Sequence, residues 1–461
     1  MHDHTMQAHD LPTLPPGPTA SRLVQTYRFA RRPQSSLDDS FKKYGDAFTA
    51  HMFGLGTVVV FSDPAAIEDL FTATAEQCAT GECNRRLFEG FLGAHSLLNI
   101  DGPRHRRKRR LLMPPFHGQR MSLYGRVMAE ITDNEMATWK PGTSFSIQHT
   151  TQNITLEVML RVVFGVDDPV RRDRLRAAIL ALIADTYRPT AAVLAFPGAQ
   201  IDLGPRSPWG RFLRLRNIVR AEILDAVTDR RRTGTDGRDD ILSMLLDARD
   251  EDGQPMSDEE LFDDLFTLLV VGHETTAATL AWGFWGVLSN REVARTIREE
   301  RRSIMGDGPL DTARLPELVY LEATVKEITR RYPVTDGAAR LLKVPMKLGR
   351  HHLPAGIVAT ASTWLTHTNP ALWPDPHAFK PARFLDARPI PFSLLPFGGG
   401  LRTCIGVAFA HYEMKIVLSE VLARADLDLP SGYTPKVVRR TVTLSPSQGV
   451  PVRLVRPLSP R

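Results

Sequence analysis

Apolar positions along the chain recur mainly at helical spacing, and the clearest run of this kind begins at Ser257. Ser257 and Glu260 have the spacing of a capping box, which satisfies free N–H groups at the start of a helix. One face of the following segment carries residues spaced three or four apart: Leu261, Leu265, Leu268, Gly272, Thr275, Thr279 and Trp282. Residues 265–288 are apolar nearly all round, so the pattern predicts a helix at 257–289 that crosses the core.

Strand patterns are short and lie towards the two ends of the chain. Ala47–Met52 and Thr57–Phe61 are rich in strand-forming residues, whereas helical periodicity dominates from about residue 64 to 332. Residues 1–20 end in a proline-rich stretch, which predicts a flexible lead-in because proline is not tolerated inside a helix. The chain is therefore expected to be mainly α, with a small β region.

Three unfavourable residues stand close together inside the predicted buried helix: Gly272, Glu274 and Thr275. Glycine costs ~1 kcal/mol in a helix, a threonine hydroxyl competes for backbone carbonyls, and a buried carboxylate needs a partner or a proton. Close helix packing at Gly272 and capping of Glu274 by neighbouring hydroxyls would explain these residues structurally. A chemical role in the core explains them equally well, and the pattern alone leaves both interpretations open.

The composition is that of a globular protein of 461 residues, with 43% hydrophobic and 24% charged residues. The net charge of +6 is spread along the chain, without the concentrated basic stripe of nucleic-acid-binding proteins. Three cysteines provide no disulfide framework, the N-terminus lacks a signal-peptide pattern, and no apolar run reaches the ~18–20 residues that span a bilayer. We therefore expect a cytoplasmic protein with no membrane span and no nucleic-acid partner.

The segment from Phe397 to Gly406 is the one best suited to chemistry. Three consecutive glycines precede Arg402 and Cys404, and a helical pattern follows from Val407. A sulfur at a helix N-terminus beside an arginine is favoured as a thiolate, which serves as a metal ligand or a nucleophile. No base for a nucleophile is identifiable nearby, and a zinc site needs further cysteines or histidines at short spacing. An axial thiolate on haem iron needs only one cysteine.

The loop Phe397-x-x-Gly400-x-Arg402-x-Cys404-x-Gly406 resembles the haem-binding signature of the cytochrome P-450 superfamily. Further segments resemble motifs of this family in the family's order: His-x-x-x-Arg at 105–109, the oxygen-activation segment at 272–276, Glu-x-x-Arg at 327–330 and Pro-x-Arg-Phe at 381–384. Val271 is a departure, because the family usually has alanine or glycine at this position. The resemblance covers roughly residues 15–455.

This resemblance implies the cytochrome P-450 fold, a helix-rich triangular prism with a small β-rich region, formed by residues 21–461 as a single catalytic domain. Haem b (iron protoporphyrin IX) would lie between the long central helix and the helix after Cys404, with Cys404 as the metal ligand. The cofactor-binding residues implied by family position are His105, Arg109, Arg340, Phe397, Arg402, Cys404 and Gly406. The two haem propionates need cations in the interior, which the histidine and the three arginines would supply.

A structural triad of Glu327, Arg330 and Arg383 is also implied by the resemblance. Taken by itself, the spacing of Glu327 and Arg330 allows only a pair on one helix face, and such pairs are usually surface ion pairs of little energetic value. The sequence therefore predicts a buried triad only through the family motif.

The activity implied by the resemblance is that of a bacterial haem-thiolate monooxygenase, which uses O2 to hydroxylate its substrate. Gly272 would leave space for dioxygen, and Glu274 and Thr275 would relay protons, so these three are the candidate catalytic residues. One alternative is an enzyme of the same fold that uses peroxide or catalyses a non-hydroxylating oxidation. A second alternative is a non-catalytic haem protein that binds a ligand.

The substrate pocket implied by family position is apolar and includes Phe88, Phe91, Leu97, Leu98, Val193, Val271, Val334 and Ala338. Each of these residues also has an ordinary core-packing interpretation. Together they favour a lipophilic small molecule, such as a terpenoid or a fatty-acid-like skeleton of secondary metabolism.

Electrons are expected from NAD(P)H through a ferredoxin and its reductase, because too few residues follow Cys404 to form a flavin domain. The run from His105 to Arg110 is the candidate docking surface on the proximal face, where positive charge would steer an acidic partner. His105 and Arg109 would face the haem, and the side chains facing solvent would be Arg106, Arg107, Lys108 and Arg110. A solvated basic face without a partner is the alternative, and nothing in the sequence demands more than a monomer.

Overall fold

The computed structural model describes residues 14–118, 120–166, 168–188, 200–386, 388–440 and 443–458. Its helices are α1 Arg22–Arg31, α2 Pro33–Tyr44, α3 Pro64–Thr72, α4 Thr80–Leu92, α5 Gly102–Leu112, α6 Arg120–Met136, α7 Ile147–Val158, α8 Pro169–Thr186, α9 Pro208–Thr233, α10 Ile241–Asp247, α11 Asp258–Leu288, α12 Arg291–Met305, α13 Val319–Arg331, α14 Thr363–Thr368, α15 Arg383–Asp386 and α16 Val407–Arg424. Its strands are β1 Ala47–Met52, β2 Gly56–Phe61, β3 Cys78–Ala79, β4 Ser144–Ser146, β5 Gly337–Leu342, β6 Met346–Leu348, β7 His351–Leu353, β8 Val358–Ser362, β9 Ala425–Asp428, β10 Val437–Arg440, β11 Thr443–Pro446 and β12 Pro451–Pro457. The predicted mainly α architecture with a small β region is confirmed.

The predicted buried helix is α11, and it starts with the predicted capping box. The hydroxyl of Ser257 accepts a hydrogen bond from the Glu260 N–H at 3.2 Å, and the Glu260 carboxylate accepts one from the Ser257 N–H at 3.1 Å. The helix has 31 residues, a length of ~46 Å at 1.5 Å per residue. It packs against α7, α9, α12, α13 and α16. Because its surface is covered by other helices, α11 crosses the main hydrophobic cluster as the pattern predicts.

The largest sheet has the strand order β1-β2-β8-β5-β3, with β2 and β8 parallel and the other pairs antiparallel. The first predicted strand has its predicted bounds, and the second begins one residue earlier, at Gly56. Val59 and Phe61 pack into one hydrophobic cluster while Val58 and Val60 pack into another, so β2 is buried on both faces. No described helix is long and apolar enough to cross a bilayer.

The hairpin of β10 and β11 lies against the middle of α11. The Trp282 indole N–H donates a hydrogen bond to the Leu444 carbonyl at 3.0 Å, and the same indole stacks on Tyr332 with ring centroids 5.1 Å apart. The remaining strands form the sheets β4-β12-β9 and β6-β7. This hairpin therefore brings residues from near the C-terminus to the central helix.

Helix α13 is preceded by a short turn that contains a proline. Pro316 lies inside a 3-10 turn at Thr312–Glu317, and α13 starts at Val319. The Glu300 carboxylate of α12 accepts hydrogen bonds from the N–H groups of Tyr320 and Leu321 at 2.6 and 2.9 Å. A carboxylate from a neighbouring helix therefore caps α13 in place of a residue of its own.

Candidate active site

The loop before Cys404 is shaped by α3, which lies against its glycines. A Cβ at Gly399 would stand 2.1 Å from the Phe71 ring, and a Cβ at Gly400, where φ is +65°, would stand 2.0 Å from the Phe71 carbonyl oxygen. Glycine is required at both positions because no side chain fits. The Cys404 N–H then donates a hydrogen bond to the Phe397 carbonyl at 2.9 Å, which closes the loop. Packing on Phe71 therefore explains Gly399 and Gly400.

The Cys404 thiol is exposed, yet burial is the largest influence on its ionisation. An accessible but desolvated thiol lies in a recess rather than on the outer surface. Burial raises the pKa of Cys404, although the Gly406 N–H and the charge of Arg109 act to lower it. Desolvation by the protein outweighs the nearby N–H group and the arginine, so the pKa of the thiol without a metal lies above its ordinary value. A metal cation deprotonates a thiol that coordinates it, so this sulfur suits a metal ligand better than a free nucleophile.

Three arginines and a histidine lie together near this loop: Arg109, Arg340, Arg402 and His105. Burial, followed by the charges of Arg402 and Arg109, lowers the pKa of His105 to about 3, so this histidine is neutral at physiological pH. Burial also lowers the pKa of Arg402 to about 10 and lowers the pKa of Arg340, and the charge of Arg340 lowers the pKa of Arg402 further. Such mutual repulsion in the interior is offset when anions bind among the cations.

Asp101 is the acidic partner within this arginine cluster, and sequence analysis missed it. Its carboxylate accepts a 2.5 Å hydrogen bond from Arg402 and further bonds from the N–H groups of Thr80, Gly81 and Glu82 at 2.7 to 3.0 Å. Because these N–H groups begin α4, the carboxylate also stabilises the positive end of that helix. One carboxylate among three arginines leaves net positive charge, so the cluster fits the two propionates of a haem.

The central helix contributes an accessible face in a region that is otherwise buried. Leu268, Val271 and Thr275 are half-buried, while most of their neighbours on α11 are buried. These residues are three or four positions apart, so they line one face of the helix. The Thr275 hydroxyl donates a hydrogen bond to the Val271 carbonyl at 2.8 Å.

Gly272 lies directly against the π-helical turn Met159–Val163. A Cβ at this position would be 3.0 Å from the Met159 methyl carbon and 3.4 Å from its sulfur. Close packing of α11 on this turn therefore accounts for Gly272, which is the structural one of the two interpretations that the sequence left open. Its catalytic assignment stays a prediction.

Glu274 is buried, and its carboxylate points to residues that are far away in the sequence. The Tyr187 hydroxyl lies 2.6 and 2.7 Å from the two carboxylate oxygens, and the Thr443 hydroxyl lies 3.5 Å from one of them. Burial raises the pKa of Glu274, while these hydrogen bonds and the charge of Arg440 lower it. The hydroxyls that cap Glu274 therefore come from α8 and β11. Sequence analysis missed them because nothing in their local pattern links them to α11.

His273, next to Glu274, is buried and neutral. Its Nδ1 lies 2.8 Å from the Thr155 hydroxyl of α7, and burial lowers its pKa to about 4. The neighbouring histidine therefore brings no positive charge to Glu274 at neutral pH.

Glu327, Arg330 and Arg383 are brought together by the fold. Glu327 and Arg330 are fully buried and 2.7 Å apart, and Arg383 Nε lies 3.1 Å from the same carboxylate. Arg330 also donates hydrogen bonds to the carbonyls of His367 and Pro376 at 2.8 and 2.9 Å. The surface interpretation of this pair is therefore excluded by its burial.

The predicted pocket residues differ in their burial. Phe91 stacks on Phe212 with centroids 5.1 Å apart, and Leu97 is buried, so both pack in the core. The half-buried members are Phe88, Phe91, Leu98, Val271, Val334 and Ala338. Val193 lies outside the described residues.

The predicted solvent-facing basic patch is largely neutralised. Lys108 is buried between Asp264 at 3.0 Å and Glu260 at 3.6 Å, so its predicted exposure is wrong. The acidic first turns of α11 attract this lysine into the interior. Arg107 and Arg110 are ion-paired as well, with Asp250 and Glu251. Arg106 is exposed as predicted.

Comparisons with known proteins identify the family of this chain. The family model described as Cytochrome P450 matches residues 12–451. "Putative cytochrome P450 135B1" of Mycobacterium tuberculosis (strain ATCC 25618 / H37Rv) is 36% identical over 96% of this chain and 91% of its own length. "Putative cytochrome P450 138" of the same strain is 33% identical over 95% of each chain. The solved structure titled "Retinoic acid bound cyanobacterial CYP120A1" is 25% identical with a TM-score of 0.84, covering 97% of this chain and 100% of that chain.

A helical fold with a recessed cysteine and a cluster of buried cations defines a haem-thiolate protein. The chain belongs to the cytochrome P450 family. Its fold is the cytochrome P450 fold, and its activity is that of a monooxygenase that uses haem, O2 and electrons from redox partners.

Proposed function

We propose that this monooxygenase hydroxylates a lipophilic small molecule, a terpenoid or fatty-acid-like skeleton of secondary metabolism, within a single catalytic domain at 21–461. The observation that carries this proposal is that the half-buried predicted pocket residues are all apolar: Phe88, Phe91, Leu98, Val271, Val334 and Ala338. An apolar lining favours substrates that gain by leaving water. The similar cyanobacterial protein is described with bound retinoic acid, a lipophilic terpenoid acid, which supports the same class.

The haem would be held at its iron by Cys404 and at its propionates by His105, Arg109, Arg340 and Arg402. When bound, the thiolate-ligated haem supplies the activation of dioxygen. The Cys404 sulfur would ligate the iron, and the propionates would give the arginine cluster counter-charge beyond that of Asp101. Phe397 and Gly406 keep their proposed cofactor role through the hydrogen bonds that they make to Cys404.

Protons would reach the reacting oxygen through Thr275 and Glu274. The Thr275 hydroxyl donates to the Val271 carbonyl, which leaves its lone pairs free to accept a proton from the protein side. The raised pKa of Glu274 makes this carboxylate able to bind and release a proton nearer to neutral pH.

Electrons would come from NAD(P)H through a ferredoxin and its reductase. Among the residues of the predicted docking patch, Arg106 keeps an exposed charge, whereas the others are ion-paired or buried. We therefore propose a smaller docking surface on α5 than the sequence indicates, for a monomeric enzyme.

A turnover assay with a spectral titration tests this function. Purified protein is titrated with terpenoids and fatty acids, and NADPH consumption is then measured with ferredoxin and reductase. We expect a shift of the haem absorption band and consumption that requires both ferredoxin and the lipophilic compound. Cys404→Ser should lose the characteristic spectrum of the reduced carbon-monoxide complex. An unaltered spectrum in this variant, or a band shift without any product, would overturn the proposal.

A further inference from the structure

Tyr187 connects the buried Glu274 to the outer part of the protein. It is the C-terminal cap of α8, and its hydroxyl donates a bond shared by the two Glu274 oxygens at 2.6 and 2.7 Å. Glu274 is 7% exposed, whereas Tyr187 is only half-buried. The tyrosine hydroxyl therefore stands between the carboxylate and the more accessible side of the network.

Three further side chains complete the network around this tyrosine. The Gln152 amide of α7 donates to the Tyr187 hydroxyl at 3.2 Å, and the Arg440 guanidinium lies 5.2 Å from the centre of the Tyr187 ring. The Thr443 hydroxyl lies 3.5 Å from Glu274 and 3.0 Å from the Arg440 carbonyl. Residues from four parts of the fold thus form this network: Tyr187 and Thr443 bond to the Glu274 carboxylate, and Gln152 and Arg440 contact Tyr187.

The direction of the hydrogen bonds assigns the proton positions. A carboxylate is only an acceptor, so the tyrosine must donate, and the tyrosine can in turn accept from Gln152. The Thr275 hydroxyl donates its own proton to the Val271 carbonyl, so it does not donate to Glu274. The hydrogen bond from Tyr187 favours the ionised form of Glu274, which burial disfavours, and directs the carboxylate towards the C-terminal end of α8.

We propose that Tyr187 is a positioning residue for proton delivery, holding the Glu274 carboxylate ionised and oriented until it takes up a proton for the active site. This inference rests on the proposed function, in which Glu274 and Thr275 supply protons. Tyr187 keeps its own proton throughout. A proton from solvent binds to a Glu274 oxygen, Glu274 then passes it to the Thr275 oxygen, and Thr275 releases a proton to the active site. No electron is transferred in these steps.

The charges that face Glu274 support this assignment. Burial has the largest effect on Glu274 and raises its pKa, whereas the hydrogen bond from Tyr187 and the charge of Arg440 act to lower it. His273, on the same helix, is neutral through burial, and Arg176 of α8 acts to keep it so. Burial and the neighbouring carboxylate raise the pKa of Tyr187, so it remains a donor at physiological pH.

Infrared titration of the haem-loaded protein tests the contact directly. The carbonyl stretch of protonated Glu274 is assigned by its loss in Glu274→Gln and followed against pH in the wild type and in Tyr187→Phe. A hydrogen bond to a charged group is worth enough to move a pKa by about one to two units. We expect the midpoint to rise by about that amount in Tyr187→Phe and to stay unchanged in Tyr433→Phe. Tyr433 is a suitable control because its hydroxyl bonds only to the distant Ser447 carbonyl at 2.7 Å.

Turnover then tests the role in delivery. Product formed per NADPH should fall several-fold in Tyr187→Phe, and the double variant with Glu274→Gln should be no worse than Glu274→Gln alone. An unchanged titration midpoint, or losses that multiply in the double variant, would overturn the role of Tyr187. A shifted midpoint with normal coupling would overturn proton delivery through Tyr187 while the monooxygenase function stands. Failure of the proposed function itself would appear separately, as a missing carbon-monoxide spectrum in the wild type.

Discussion

Thr275 lies where the accessible face of α11 meets the buried remainder of the helix. Its hydroxyl bonds back to the Val271 carbonyl, an arrangement common for threonine within helices. Because the donated bond is satisfied by the helix itself, the oxygen can accept from elsewhere without leaving an unpaired donor. The Thr275 hydroxyl therefore has a fixed position, and its oxygen can accept a further hydrogen bond.

Replacing Thr275 by alanine should uncouple the enzyme. Loss of the hydroxyl interrupts proton delivery, so product per NADPH should fall by roughly tenfold or more while peroxide release rises. Both quantities are measured in the same assay. Thr132→Ala is the matched control, since Thr132 is a buried threonine of α6 with the same 2.8 Å bond to the carbonyl four residues earlier. Unchanged product per electron in Thr275→Ala would refute the relay.

At the scale of elements, the contact between α13 and α15 depends on charges that are wholly out of water. Glu327 and Arg330 of α13 are fully buried, and Arg383 of α15 reaches the same carboxylate. Removing one partner leaves an uncompensated charge in the interior, which is far more costly than losing an exposed pair. The segment before the cysteine loop is tied to α13 in this way.

Arg330→Ala should reduce the free energy of unfolding by ~3–5 kcal/mol because it leaves Glu327 buried without its main partner. Urea denaturation followed by circular dichroism measures this loss. The chain provides a control with the same spacing and the same 2.7 Å separation in the exposed pair of Arg314 and Glu317, where Arg314→Ala should change stability by less than ~1 kcal/mol. Equal effects in the two variants would contradict the argument from burial.

At the scale of the whole molecule, much of the architecture follows from patterns that neighbouring residues carry. The capping box at Ser257, the apolar length of α11 and the helix after Cys404 are local features, and all are present. Contacts between distant segments could not be predicted in this way. Tyr187 reaches Glu274 from 87 positions away, and the burial of Lys108 depends on acids of α11. The sequence shows a glycine at position 400, but the contact with Phe71 that requires it is visible only in the structure.

The pH dependence of global stability should contain a contribution from Glu413 of α16. Neither carboxylate oxygen has a hydrogen-bond partner among the described residues, and burial raises the pKa of Glu413 to about 8. Below about pH 4.5 the group is protonated in both folded and unfolded chains. As the pH rises from there to about 8, only the unfolded chain releases the proton, so stability is lost by up to roughly 1.4 kcal/mol per pH unit.

Glu413→Gln should remove this slope, since an amide does not titrate. The variant should therefore become more stable relative to the wild type as the pH rises from 5 to 8. Urea titrations at several pH values measure this difference in the free energy of unfolding. The exposed Glu68→Gln serves as the control and should leave the profile unchanged. A constant difference across this range would show that Glu413 titrates normally.

Asp101 links the start of α4 to Arg402 in the cysteine loop, two regions that protein engineering would aim to change independently. Its carboxylate holds the first turn of α4, the helix that carries Phe88, and it also holds Arg402 beside the cysteine. Selection for new substrates through α4 would then disturb the cofactor loop whenever a change displaces residues 80–82. Libraries that vary the middle of this helix and keep its beginning intact should yield a larger share of pigmented, working variants.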